Sequence, residues 1–137
     1  MSIKPFISFL TACVLFFISP VLFAQTAGLS QEFSNCIDEG GIRERARCIG
    51  NEFALQDKRL NDVYKKLMQI ESEPRKQALR TAQRSWIKYK EDWSKYLALD
   101  SRFDQSIIQV EIAYFQLMAT ASQADVLEME YVSYFND

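Results

Sequence analysis

The sequence contains no histidine, which removes the commonest general base at neutral pH and the commonest metal ligand. Glycine and proline are scarce, four and three in 137 residues, so breaks are few and the stretches between them can run long. No G-x-S-x-G elbow, glycine-rich phosphate loop or carboxylate-rich metal loop occurs. Asp57 with Asp62, or Glu91 with Asp92, comes nearest to the acid pair of a sugar hydrolase. Carboxylates next to lysines on helical faces read instead as solvated surface. Neither an enzyme, a metal site nor a cofactor is expected from this inventory. Base is also missing from one end: no Lys or Arg follows Arg102, whereas Asp104, Glu111, Asp125, Glu128, Glu130 and Asp137 do. The chain is thus electrostatically polarised along its length, although its net charge is only −2.

The opening residues carry the three parts of an export signal: a positive start at Lys4, an apolar run over Phe6–Phe23, and small Ala24 just after Pro20. Residues 1–24 are read as the signal, leaving a single domain over residues 25–137. An uncleaved anchor is the alternative for so long an apolar run. Leu10-Thr11-Ala12-Cys13 resembles a lipoprotein box, which would anchor the chain at Cys13. Some ten apolar residues follow Cys13, however, where a lipoprotein would expose a polar tether, so it reads as an ordinary signal residue. Periplasmic or secreted residence follows, without stable membrane insertion after cleavage. Cys36 and Cys48 then remain, and in an exported chain two cysteines are most simply a disulfide, two buried thiols being the alternative. Such a bridge stabilises by about 3 kcal/mol on the chain-entropy picture, and in a domain this small that matters.

Beyond the signal, the pattern is helical throughout. Leu29–Asp38 supports a short helix, and Glu39-Gly40-Gly41 is a loop. A long helix spans Ile42 to about Glu71, with Leu60, Val63, Tyr64, Leu67 and Ile70 at three- and four-residue steps and a weak point at Gly50-Asn51. Ser72-Glu73-Pro74 punctuates the chain and opens a third helix to about Leu99, because proline is tolerated in a first turn. Leu79, Ala82, Trp86, Tyr89, Trp93 and Tyr96 or Leu97 give that helix an apolar stripe, predicted to face inward. A loop at Asp100–Asp104 precedes a fourth helix running towards the end. With no sustained two-residue alternation, the expected fold is all-α: a small antiparallel bundle of three to four helices with one disulfide near its N-terminus. The hairpin of the second and third helices is expected to organise it. The basic row Lys76, Arg80, Arg84, Lys88 is expected to pair with the acidic fourth helix. Export argues against a nucleic-acid partner for it.

Two blocks within that hairpin carry a family likeness. Leu60-Asn61-x-x-Tyr64-x-x-Leu67, followed by Leu79-x-x-Ala82-Gln83-Arg84-x-Trp86-Ile87-x-Tyr89, resembles the signature of the LprI-like lysozyme-inhibitor domain family. The family's early cysteine pair matches Cys36 and Cys48, and Asp57 matches an acid common just before the first block. Members often carry a further cysteine where Ser94 stands and a partner in the last helix, which here has none. Near the end, Thr120-Ala121-Ser122-Gln123-Ala124 has Gln where the family has Arg.

The resemblance implies a non-catalytic binding protein that inhibits lysozyme and protects the cell wall. The alternatives are a structural or adaptor protein of the envelope and an immunity protein against another cell-wall enzyme. Leu60, Asn61, Tyr64, Gln83, Arg84 and Trp86 match the signature, as packing or as binding residues. They are expected to be scaffold, with contact regions at Asp38 and Glu39 beside the Gly-Gly loop, on the acidic last helix, or at the polar edge around Gln83 and Arg84. An exposed Trp93 or a Tyr131–Tyr134 patch would be the place for a dimer contact.

Overall fold

In the computed structural model, which describes residues 28–136, four helices follow one another and no strand occurs among those residues. They are α1 (Gln31–Cys36), α2 (Ile42–Ile70), α3 (Glu73–Ala98) and α4 (Gln105–Ser133). The proposed signal over residues 1–24, with Cys13 and the expected cleavage at Ala24, lies outside the described residues. Ser30 caps α1, its hydroxyl accepting from the Phe33 N–H at 3.1 Å. Gly40 has φ 97°, with Glu44 filling the space a Cβ would need, so the turn into α2 requires glycine there. The Cys36–Cys48 disulfide clips α1 to the first turns of α2, with Cα atoms 5.9 Å apart. Gly50 does not break α2, which runs through it. Ser72 stands at the α3 N-cap and Pro74 in the first turn, although the Ser72 hydroxyl makes no capping bond.

The tightest pair is α2 with α4, not α2 with α3. Leu60, Val63 and Leu67 of α2 pack on Ala124 and Leu127 of α4, and Leu79, Trp86, Tyr64 and Tyr131 close around them. At the other end Phe33, Cys48, Ile49 and Leu117 form a second cluster. Thr120, Ala121 and Ala124 are fully buried, and these small side chains let the α4 backbone come close to α2. The expected organising hairpin is therefore corrected. α4 fills the position beside α2, and α3 reaches that core only through large side chains such as Leu79 and Trp86.

The inward face of α3 is corrected as well. Tyr89, Trp93 and Tyr96 are 53, 45 and 64 % exposed, and Ala82 is exposed too. The residues that turn inward are Leu79, Gln83, Trp86, Lys90, Ser94 and Leu97, a face rotated about one position from the aromatic stripe. The stripe packs on itself and on Phe115 of α4, with centroids 5.2 Å apart for Trp93–Tyr96 and 6.0 Å for Tyr89–Phe115.

Ion pairs follow the same geometry. The acidic fourth helix is bound chiefly through α2: Arg59 pairs with both Asp125 and Glu128. The expected pairing of the basic row is corrected: among the described residues none of Lys76, Arg80, Arg84 and Lys88 pairs with α4, and the bridge between α3 and α4 is made by Arg75, held between Glu71 and Glu130. At Ser94, where the family resemblance leads one to expect a cysteine, the Gln116 side chain donates to the Ser94 hydroxyl at 3.2 Å and links α3 to α4. Glu52 anchors the start of the domain, accepting from the Ser30 N–H at 2.9 Å and from Gln56 Nε2 at 2.7 Å. No helix among the described residues is long and apolar enough to cross a membrane.

Candidate functional site

Because α3 meets the core only through its larger side chains, a groove is left between α2 and α3. It encloses about 490 Å³ and is lined by Asp57, Leu60, Asn61 and Tyr64 from α2 and by Arg80, Gln83, Arg84, Trp86, Ile87 and Lys90 from α3. The α2 residues stand at positions i, i+3, i+4 and i+7, one helical face. On α3, Arg80, Gln83, Arg84 and Ile87 repeat the same spacing, and Lys90 extends it by three residues. The helices run antiparallel from the break at Glu71–Ser72, so residues about equally far from it face each other. Arg80 thus lies towards Tyr64, and Lys90 towards Phe53, with Asp57 one turn away.

Six of the signature residues, Leu60, Asn61, Tyr64, Gln83, Arg84 and Trp86, line this one groove, whereas Leu67, Leu79, Ala82 and Tyr89 of the same blocks do not. As a packing code they would be buried apolar groups. Leu60 is buried and Tyr64 and Trp86 are half-buried against the core, but Asn61 and Arg84 are exposed. Gln83 is 9 % exposed, and its Nε2 is enclosed with no hydrogen-bond partner. A buried donor left unpaired is destabilising by about 1–3 kcal/mol, which folding alone does not explain.

The charges are distributed unevenly. Of the seven cations on α3, the four outside the groove are held by carboxylates: Arg75 by Glu71 and Glu130, Lys76 by Glu73, and Lys88 and Lys95 by Asp92. The three inside it, Arg80, Arg84 and Lys90, form no ion pair among the described residues. Arg84 donates to the Thr81 hydroxyl at 3.3 Å. Lys90 donates to Thr120 Oγ1 at 3.2 Å and lies over the Trp86 ring at 4.3 Å and the Phe53 ring at 5.6 Å. Burial lowers its pKa, against the pull of Asp57 and Glu91. Asp57, the one acid in the groove, accepts from Asn61 Nδ2 at 3.0 Å.

The other candidate residues lie elsewhere. Asp38 and Glu39 are exposed in the α1–α2 loop, beside a shallow depression lined by Glu32, Glu39, Glu44 and Arg47. Sixteen residues of α2 separate Gly41 from Asp57, about 24 Å at 1.5 Å per residue, so the loop and the groove are separate features. Asp62 is tied to Lys58 at 2.5 Å and Asp92 to lysines of its own helix, leaving neither acid pair assembled. No cluster of His, Cys, Asp and Glu suited to a metal occurs among the described residues. Ile87 and Lys90 join the groove without having been singled out as site residues, and Arg80 only as part of the basic row expected to pair with the fourth helix. Their signal was present in the i−3, i+1, i+4 and i+7 positions around Gln83, but it pointed inward only once the face of α3 was known.

The family described as Lysozyme inhibitor LprI has a model that matches residues 36–127. Both signature blocks, the disulfide and every residue of the groove fall within that range. No curated protein and no solved structure matches.

Proposed function

The chain belongs to the LprI lysozyme inhibitor family, and from that membership we propose that it is an exported, non-catalytic protein that binds and inhibits lysozyme, with the α2–α3 groove and its rim as the working surface. The carrying observation is the gathering of six of the signature residues around one groove, with the Gln83 amide nitrogen enclosed and unpartnered there. A signature that served packing alone would not hold an exposed Asn61 and Arg84 beside an unpartnered Gln83. Export rests on the signal-like residues 1–24 and places the protein in the periplasm or outside the cell, where it would meet a muramidase. Rim residues Asn61, Arg80 and Arg84 supply the specific contacts, and the acidic surface of α4 attracts a cationic enzyme over longer range.

The test is a cell-wall lysis assay with purified lysozyme and the chain from Gln25 onward. Inhibition that saturates near one inhibitor per enzyme, and is lost on replacing both Arg80 and Arg84 by Gln, supports the reading. Full lysis at large molar excess would sink it.

The exposed aromatic row Tyr89, Trp93 and Tyr96 favours a second reading, an envelope adaptor that holds a different protein. In that case periplasmic pull-down recovers a partner that is lost on Trp93→Ala and kept in the Arg80/Arg84 double variant.

A further inference from the structure

We propose that the α2–α3 groove is a receptor for a carboxylate next to an amide, the chemistry of an acylated amino acid or a peptide chain end. Arg80 and Arg84 take the carboxylate, and Gln83 donates to the neighbouring carbonyl. The proposal rests on the groove being the working surface and names what it takes. It does not depend on the partner being lysozyme.

Three independent features converge on this chemistry. The first is the selective pairing of cations: α3 satisfies with carboxylates every cation outside the groove and none inside it. Arg80 and Arg84 stand one turn apart on the same face, and guanidinium groups bind a planar carboxylate in fork geometry. The second is Gln83 Nε2, a donor enclosed within the wall without an acceptor. Rotation of the amide about its terminal torsion turns it into the groove, where a carbonyl one residue from the bound carboxylate would satisfy it. The third is the composition of the remaining wall. Leu60, Ile87 and Trp86 give an apolar floor for a small side chain, and Asp57 offers an acceptor for the ligand's N–H. The same Asp57 disfavours a dianion, so a carboxylate fits better than a phosphate. About 490 Å³ is also the size range of small-ligand clefts.

The probe is N-acetylalanine, titrated into the folded chain and followed by the Gln83 side-chain NH₂ and Trp86 indole N–H signals in two-dimensional NMR. Saturable shifts at both groups are expected. N-acetylalanine amide, which lacks the charge, should bind at least tenfold more weakly, and inorganic phosphate should not compete. Replacing Arg80 and Arg84 by Gln should abolish the shifts, whereas Lys88→Gln with Lys95→Gln, which removes cations outside the groove, should leave them unchanged. Equal binding of the amide, binding retained without the two arginines, or displacement by phosphate overturns the proposal. Lysozyme is the second arm. Displacement of N-acetylalanine by the enzyme identifies a protein as the source of the carboxylate, and failure to displace identifies a small acylated amino acid or peptide. Inhibition of lysis without N-acetylalanine binding leaves the inhibitor reading standing and removes this one. Binding without inhibition does the reverse.

Discussion

Gln83→Leu should make this protein more stable and less functional. The residue is 9 % exposed and its Nε2 has no acceptor, a situation that is destabilising by about 1–3 kcal/mol. Leucine has nearly the same volume and lies beside Leu60 and Ile87 in the groove wall, so it removes the unpaired donor without opening a cavity. For a domain of this size, each kcal/mol moves the melting midpoint by about 4 °C, so the expected rise is about 4–12 °C. Thermal melting followed by circular dichroism at 222 nm measures it, with urea unfolding as a check that the slope stays constant. The same variant should lose at least tenfold in lysozyme inhibition. A lowered midpoint would show that the amide has a native partner and that nothing is held in reserve. A raised midpoint with inhibition intact would show that the unsatisfied group serves no binding.

Reducing Cys36–Cys48 should lower unfolding stability by about 3 kcal/mol while leaving most of the far-ultraviolet helical signal, because the bridge lies outside the α2–α4 core; loss of the whole signal would contradict that division. Arg59→Met removes both inter-helix ion pairs to α4 and should cost about 1–2 kcal/mol by urea unfolding, a figure held down by the partial exposure of its partners. Burial pushes the Glu52 carboxyl up, but hydrogen bonds from the Ser30 hydroxyl, the Gln56 amide and the Ser30 N–H outweigh it and leave the pKa below its ordinary 4.5. A depressed carboxyl contributes stability above pH 4.5 that fades as pH falls through the lower folded value. Wild type should therefore lose stability below pH 4.5 more steeply than Glu52→Gln, and parallel pH profiles would refute the assignment.

The local order of this chain is written in its sequence. Scarce glycine and proline confine breaks to Glu39–Gly41, Glu71–Ser72 and Asp100–Asp104, and the helices begin and end there because those residues suit caps and turns. The cysteine pair was legible from number and compartment, since only Cys36 and Cys48 remain beyond the signal-like segment and an exported chain favours their oxidation. The signature blocks identified the family, because residue identity at fixed helical spacing survives without knowledge of the fold. Tertiary structure alone decided which face of α3 turns inward. Its aromatic stripe and its Leu79–Gln83–Trp86–Lys90 stripe have equally regular helical spacing, and periodicity cannot rank two such faces. The choice was made by α4, whose small residues Ala121 and Ala124 let it take the place beside α2 and hold α3 away. That displacement turned a presumed packing code into a groove, and it left Arg80 and Arg84 on its wall without carboxylate partners and the enclosed Gln83 amide nitrogen without an acceptor.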